Sequence, residues 1–321
     1  MEYSNFLVTG GAGFIGSHLV DLLVKNDAEK IVVLDNFFLG KMENLSWASK
    51  NGNVVIYKED ARYLTAVQNI IEREKIEVVF DLAVKPLPYS FVDPEGAYMT
   101  SVEIAHNLAQ ALRKKMFEKL IHFSSSEVYG TAIYTPIKET HPLNPTTPYG
   151  AGKAAADLLL TSYHKLFDID VSIIRPFNCY GPRQNIGLYA AVVPLTIQRI
   201  LRGENPIIEG DGKQTRDFTY VTDVVMAALK MLECDDVKGK ILNVGNGKDI
   251  DIQTLVHKIC HELNYQTSNI NYGPQRPGDV RKLVADCSQA RLLLNYTPKI
   301  GLDEGLRMTI EWFKTSTSRS Q

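Results

Sequence analysis

Tyr149 and Lys153 stand four residues apart and could work together in proton transfer. Pro148 before them and the alanines and leucines after them predict a helix, on which positions i and i+4 share one face. An ammonium beside a phenol stabilises the phenolate, so we expect Lys153 to lower the pKa of Tyr149 from about 10. Such a tyrosine acts as a general base or acid near neutral pH. The same spacing of tyrosine and lysine also occurs in pairs on the protein surface that have no catalytic role. The other motifs of the chain therefore decide whether this pair is catalytic.

The serine segment Ser124-Ser125-Ser126 follows the fifth short apolar segment of the chain. Ligands of open α/β sheets bind outside the carboxyl ends of the strands. A hydroxyl at that edge can hold a reacting alcohol or carbonyl oxygen, although serine runs are also ordinary turn chemistry.

Three glycines, Gly10, Gly13 and Gly16, follow the first apolar segment. A glycine-rich turn lets the backbone approach a pyrophosphate, and the helix predicted over residues 14–25 would direct its positive end at that group. Asp35 ends the second apolar segment. A carboxylate at that position accepts hydrogen bonds from ribose hydroxyls and repels a 2′-phosphate, so the sequence favours NAD over NADP. The alternative is a tight turn that caps a helix in a non-binding α/β protein.

The elements that must position these residues alternate between short apolar segments and helical patterns. This alternation predicts βαβ units, a mostly parallel sheet and the α/β fold class. The predicted strands lie at residues 6–8, 31–34, 54–57, 78–82, 120–123 and 171–174, with a possible return to the sheet at 240–245. Beyond Arg175 the pattern weakens into a smaller, less regular region, and the polar tail is expected to be disordered.

Composition excludes several classes of function. The 321 residues carry a net charge of −2, which gives no reason to expect a nucleic-acid or membrane partner. The four cysteines are widely spaced, so neither a zinc site nor a disulfide framework is expected. We find no long apolar run and no basic leader, and therefore expect a cytoplasmic protein with no bound metal.

Several motifs occur together in one order along the chain. They are residues 9–16 (TGGAGFIG), 35–36 (DN), 124–130 (SSSEVYG), 149–153 (YGAGK), 175–178 (RPFN), 180–184 (YGPRQ), 216–218 (RDF) and 276–280 (RPGDV). The set resembles the extended short-chain dehydrogenases/reductases that act on nucleotide sugars. The resemblance implies a Rossmann doubly wound parallel sheet with a smaller, mixed α/β C-terminal substrate domain. The expected division is 1–175 with about 217–245 for NAD, about 176–216 with 246–315 for the nucleotide sugar, and a disordered tail at 316–321.

The resemblance also implies residue roles. Tyr149 would take the proton of the sugar O4 while the C4 hydride moves to NAD, Lys153 would bind the nicotinamide ribose, and Ser125 would be the third catalytic residue. The expected cofactor contacts are Gly10, Gly13, Phe14, Ile15, Gly16, Asp35, Asn36, Asp60, Ala61, Leu82, Ala83, Lys85, Tyr149, Lys153 and Pro176. The expected substrate contacts are Ser125, Ser126, Glu127, Asn178, Arg183, Val193, Arg216, Arg276 and Leu283.

Three reactions of this family start with oxidation at C4. Dehydratases carry Asp-Glu after the catalytic residue, whereas Ser126 stands here and has no readily donated proton. Decarboxylases of UDP-glucuronate show Thr-Ser-Glu, which resembles residues 125–127, but their late arginine has no clean match near residues 284–286. The overall pattern most resembles 4-epimerases of a UDP-hexose, UDP-N-acetylhexosamine or UDP-hexuronate. The decarboxylase, the dehydratase and a non-catalytic NAD-binding protein stay as alternatives.

The resemblance also leads to expectations about the sugar that is bound and about the oligomeric state. Leu283 matches the position that limits bulk at C2, so an N-acetyl group would fit, and Arg183 would meet a C6 carboxylate. Relatives form homodimers through a four-helix bundle, for which residues 100–115 and 150–167 are the candidates, although their apolar residues also suit burial within one subunit. The chain departs from the family at Asp81, where histidine is frequent, and at Ser101, where asparagine is usual.

Overall fold

The computed structural model describes residues 2–318, and its centre is a parallel sheet of seven strands. The strands are β1 Asn5–Thr9, β2 Lys30–Asp35, β3 Val54–Lys58, β4 Val78–Asp81, β5 Lys119–Phe123, β6 Asp170–Pro176, β7 Cys179–Tyr180, β8 Ile207–Glu209, β9 Thr215–Arg216, β10 Thr219–Tyr220, β11 Ile241–Val244, β12 Ile250–Asp251 and β13 Asn271–Gly273. The central sheet has the order β11-β6-β5-β4-β1-β2-β3. The predicted fold class, the six strands and the return of the chain near residue 244 are confirmed.

Helices cover both faces of the sheet. They are α1 Phe14–Lys25, α2 Ser46–Asn51, α3 Leu64–Glu74, α4 Pro94–Arg113, α5 Pro148–Phe167, α6 Val192–Leu201, α7 Val221–Leu232, α8 Ile252–Glu262, α9 Ser288–Leu294 and α10 Leu302–Ser318. In β1, Phe6 and Val8 pack with α1 and α7, while Leu7 packs on the other side with α3, α4 and α5. Because both faces are buried, the strands consist of consecutive apolar residues and not of an alternating pattern.

A third apolar cluster lies outside the sheet. Its buried members come mainly from α6, α8 and α10, and they include Tyr180, Ile197, Leu255 and Leu306. Three short two-stranded sheets accompany it, formed by β10 with β7, β12 with β9, and β13 with β8. Each strand there has only two or three residues, so loops and not a continuous sheet position the side chains of this region.

The C-terminal segment differs from the expectation of disorder. Helix α10 extends to Ser318, so residues 316–318 are helical, and residues 319–321 lie outside the described residues. Among residues 2–318, the helices are too short or too polar to span a bilayer.

Candidate active site

A cavity opens at the carboxyl end of the sheet, between β1 and β4. The strand order reverses there, because β2 lies on one side of β1 and β4 on the other. Such a reversal leaves a crevice in which doubly wound sheets bind their ligands. All fifteen residues expected to contact a cofactor line this cavity.

The glycine turn at the entry to α1 is built for close backbone approach. Gly10 has a φ of +65°, and a Cβ there would lie 2.9 Å from the backbone of Ala83. A Cβ on Gly16 would collide with the carbonyl oxygen of Gly10. Gly13 caps α1 without a side-chain hydrogen bond, which leaves the N–H groups of the first turn for an anion. This cradle fits the pyrophosphate of a dinucleotide.

Asp35 fixes the glycine turn and also lines the cavity. Its Oδ2 accepts the N–H of Ala12 at 3.0 Å and its Oδ1 accepts the N–H of Phe37 at 2.8 Å, so the carboxylate fixes the glycine turn. Burial raises the pKa of Asp35, whereas these backbone N–H groups lower it. The carboxylate also lines the cavity, where its remaining lone pairs can accept ribose hydroxyls. The neighbouring Asn36 donates from Nδ2 to Asp60 at 3.0 Å.

Tyr149, Ser125 and Lys153 meet on the cavity floor. Tyr149 lies in the first turn of α5, where the Thr147 side chain accepts the N–H of Gly150 and so caps the helix. Tyr149 and Ser125 both line the cavity, and the Ser125 hydroxyl is near enough to the phenol to act against the rise of its pKa. The ammonium of Lys153, 2% exposed, donates to the carbonyl oxygen of Phe123 at 2.6 Å. The predicted grouping of tyrosine, lysine and serine therefore exists in space.

The expected electrostatic effect of Lys153 on Tyr149 is not present in this arrangement. Burial raises the pKa of Tyr149 to about 12, the Glu127 carboxylate adds to the increase, and the hydrogen bond from Ser125 opposes it. The lysine directs its ammonium at the end of β5 and at buried carboxylates, so its charge does not lower the tyrosine pKa here. The prediction of a lowered pKa was wrong because the sequence did not show how deeply the phenol is buried.

Two arginines face the opposite part of the cavity. Arg216 of β9 and Arg276 of the loop after β13 both line it, and they donate to the same Asp279 oxygen at 2.6 and 2.8 Å. Two cations on one carboxylate leave a net positive charge for an anion. The side-chain oxygen of Asn178 also lines the cavity and is buried without a hydrogen-bond partner. Ser126 and Glu127 line the same cavity, and Val193 lines its continuation towards β8.

Arg183 and Leu283 do not belong to this site. The Arg183 guanidinium donates to Asp21 of α1 at 2.7 Å, and its backbone has a φ of +65°. Leu283 is 0% exposed and packs in the main core with the sheet. Neither residue lines the cavity. The arginine pairs with a partly buried aspartate and the leucine packs in the core beside β9, so a substrate contact at either position stays a prediction.

Sequence reasoning missed an aromatic cap over the cofactor part of the cavity. We use this name for Phe38, Tyr89 and Tyr189, whose ring centroids lie 5.3 to 5.8 Å apart. The ammonium of Lys85 sits 3.1 Å from the Phe38 centroid, a cation–π contact. The only signal in the sequence was the presence of aromatic residues in predicted loops.

Comparison with known proteins agrees with this geometry. The family described as GDP-mannose 4,6 dehydratase matches residues 7–309. The chain belongs to this family, within the extended short-chain dehydrogenases/reductases. UDP-glucose 4-epimerase of Mycolicibacterium smegmatis is 36% identical over 97% of this chain and 99% of its own length. UDP-glucuronic acid decarboxylase 3 of Arabidopsis thaliana is 34% identical over 96% of this chain and 88% of its own length.

Two solved structures of the family share the whole fold. UDP-glucose 4-epimerase of Thermotoga maritima, solved with UDP-glucose, is 34% identical and superimposes with a TM-score of 0.91 over 98% of this chain and 99% of that one. UDP-glucuronic acid 4-epimerase of Bacillus cereus, solved with UDP-glucuronic acid and NAD, is 30% identical with a TM-score of 0.90 over 97% of this chain and 99% of that one. Family relatives therefore include both epimerases and decarboxylases.

Proposed function

We propose that the protein is an NAD-dependent 4-epimerase of a UDP-sugar. The observation that carries this proposal is that Tyr149, Ser125 and Lys153 line one cavity together with the glycine turn and two arginines. The 4-epimerases among the relatives support the same reaction.

The cofactor end suits NAD. The glycine turn and the first turn of α1 would hold the pyrophosphate, and the Asp35 carboxylate would accept the adenosine ribose hydroxyls and repel a 2′-phosphate. Asp60 and Ala61 would border the adenine, and Lys85 would lie beside the nicotinamide half. When bound, NAD supplies an acceptor for the hydride of the sugar C4.

The reacting hydroxyl belongs between Tyr149 and Ser125. Tyr149 takes the proton of O4 and Ser125 donates a hydrogen bond to the oxygen that becomes a ketone. Because burial raises the tyrosine pKa to about 12, the phenol holds its proton firmly, and the phenolate needs a nearby positive charge to form. Lys153, buried one helical turn away, is a cation that meets this need when its ammonium turns from the Phe123 carbonyl towards the phenol.

The substrate end suits a nucleoside diphosphate. Arg216 and Arg276 would bind the diphosphate through charge-assisted hydrogen bonds, and the unpartnered oxygen of Asn178 would accept a sugar or nucleotide donor. The cavity continues past Val193 and Phe218, which would contain the base. Because Arg183 points away, no cation from that position meets a C6 carboxylate, which favours a UDP-hexose or UDP-N-acetylhexosamine over a uronate.

A decarboxylase of UDP-glucuronate is the second candidate, favoured by Glu127. Burial raises the pKa of this carboxyl, and Arg216 and Arg276 oppose the increase. A buried carboxyl within the site is a second acid or base, which a simple epimerase does not need. Ser126, which is 3% exposed, offers no acid of this kind, so a 4,6-dehydratase is less well supported.

One experiment separates the candidates. The purified protein is incubated with UDP-glucose, UDP-GlcNAc, UDP-glucuronate and UDP-GlcNAcA, and the products are identified by NMR. We expect the C4 epimer of a neutral sugar. A pentose with released CO₂ would establish the decarboxylase, a 4-keto-6-deoxy sugar the dehydratase, and no turnover with bound NAD a non-catalytic protein.

We further propose that the region around α6, α8 and α10 is a separate substrate domain and that the protein is a homodimer. The separate apolar cluster of that region supports the first proposal. For the second, Leu158, Leu166 and Phe167 of α5 are 62%, 74% and 40% exposed. Leu158→Arg is expected to give monomers in light scattering, whereas Leu292→Arg, at a leucine of α9 that is 76% exposed, should leave dimers intact.

A further inference from the structure

A chain of buried polar side chains lies behind Lys153, and the proposed reaction does not yet use it. Asp81 ends β4, His122 lies opposite it on β5, and Asp157 follows Lys153 by one turn of α5. Each of these three residues is 1% exposed. A buried carboxylate costs free energy unless it is paired, so two of them beside the active site require an explanation.

A hydrogen bond joins Asp81 to His122, and Asp157 lies near the other side of the imidazole ring. His122 Nδ1 lies 2.7 Å from Asp81 Oδ2, and Asp81 Oδ1 accepts the hydroxyl of Thr9 at 2.7 Å. An ionised carboxylate only accepts hydrogen bonds, so the imidazole proton lies on Nδ1. His122 Nε2 and Asp157 Oδ1 are 3.9 Å apart, and neither atom has a hydrogen-bond partner.

The charges of these side chains do not balance without Lys153. Asp157 accepts the Nε–H of Arg175 at 2.8 Å and is therefore paired. Among residues 2–318, Asp81 forms hydrogen bonds only with Thr9 and His122, and Lys153 is a permanent cation whose charge favours the ionised form of Asp81 and lowers its pKa. Lys153 in turn makes one hydrogen bond, to the Phe123 carbonyl. Burial lowers the pKa of Lys153, and the Asp81 and Asp157 carboxylates raise it.

We propose that Asp81 is a positioning residue: with Asp157, its carboxylate keeps Lys153 as an ammonium beside Tyr149. His122 fixes the orientation of the Asp81 carboxylate through the hydrogen bond at Nδ1. At the carboxyl ends of the strands around Lys153, the charged and titratable groups are Asp81 on β4, His122 on β5 and Arg175 on β6, and the first turns of its own helix add Tyr149 and Asp157. The other such residues of these elements, Lys119, Tyr163, His164, Lys165 and Asp170, lie at their opposite ends. The proposal rests on the proposed function for the role of Tyr149.

The test is Asp81→Asn, which removes the charge and nearly preserves the shape. The amide oxygen can still accept the Thr9 hydroxyl. An opposite charge within about 4–6 Å shifts a pKa by about 1–3 units, so we expect the pH above which kcat falls to decrease by about one unit or more. A purely structural role would instead lower kcat by the same factor at every pH.

Two variants complete the design. Asp157→Asn should shift the same limb of the pH profile in the same direction. Its amide oxygen can still accept hydrogen bonds from Ser124 and Arg175, so this variant tests the effect of the carboxylate charge on Lys153 if Asp81→Asn fails to fold. Thr9→Val removes the hydroxyl that donates to the Asp81 carboxylate and accepts the N–H groups of Leu82 and Ala83. The charge of Asp81 remains, so kcat can fall but the pH profile should keep the wild-type position. A profile of the folded asparagine variants that superimposes on wild type after scaling would overturn the proposal.

A second readout does not depend on turnover. The Nζ of Lys153, titrated by NMR in protein labelled with ¹⁵N-lysine, should lose its proton at lower pH in Asp81→Asn than in wild type. An unchanged titration would overturn the inference even in an active enzyme. A wild-type protein that shows this titration but epimerises no UDP-sugar would refute the proposed function and leave the role of Asp81 established.

Discussion

The two ends of the cavity present different parts of the chain to a ligand. The glycine end uses backbone N–H groups at the first turn of α1, where a Cβ on Gly10 or Gly16 has no room. The arginine end uses long side chains from a two-residue strand and a loop, held by Asp279. A site made of backbone N–H groups should lose its ligand when a side chain is added to one of its glycines. A site made of charged side chains should lose affinity in steps, as each charge is removed. Four predictions test this difference.

The largest effect is expected at the glycine end. Gly16→Ala places a methyl group against the Gly10 carbonyl oxygen, so the turn must open and NAD binding should be abolished. Gly301→Ala is the matched control, because a Cβ there meets nothing within 4 Å. The measurement is the amount of nucleotide bound after incubation with excess NAD. Full occupancy in Gly16→Ala would show that the turn is not the pyrophosphate site.

The next largest effect is expected on kcat, at Tyr149 in the part of the cavity between the glycine end and the arginine end. Tyr149→Phe removes the group that holds the O4 proton, and general acid–base catalysis contributes about 10²- to 10⁴-fold, so kcat should fall by that factor. NAD content should stay at the wild-type level, because the phenol is not part of the pyrophosphate cradle. Turnover near the wild-type rate would refute the assigned role.

A graded effect is expected at the arginine end. Arg276→Ala removes one of two cations, and hydrogen bonds to charged groups contribute about 1.5–3 kcal/mol, so KM for the UDP-sugar should rise about 10- to 100-fold. Arg183→Ala is the control, because this arginine pairs with Asp21 away from the cavity, and its KM should stay unchanged. The reverse pattern would restore the expectation that Arg183 binds the substrate.

The smallest effect concerns stability at the substrate end. Asp217 accepts the N–H groups of Asn246, Gly247 and Ala285, yet burial raises its pKa to about 6. The folded state therefore binds more protons than the unfolded state between about pH 4 and 6, and this contribution to stability is lost as pH rises through that range. The stability difference between wild type and Asp217→Asn should shrink from pH 4 to 6 in chemical unfolding. A constant difference would contradict the raised pKa.

The sequence predicted the regular part of the molecule well. The residues that follow strands, such as Gly10, Asp35 and Ser125, take their positions from the sheet, whose apolar segments are visible in the chain. Arg183 and Leu283 follow no long strand, and their directions depend on which partner, Asp21 or the core, lies nearest in space. The prediction of a lowered pKa for Tyr149 failed for a similar reason, because the burial of a side chain depends on how the whole site packs.

The most direct test of the account follows the hydrogen at C4. A UDP-sugar that the enzyme epimerises is prepared with deuterium at C4 and converted in ordinary water, and the product is analysed by NMR and mass spectrometry. The account predicts that the C4 epimer keeps the deuterium, because the hydride leaves and returns within one closed site. Loss of the label to solvent, or loss of the C6 carbon as CO₂, would contradict it.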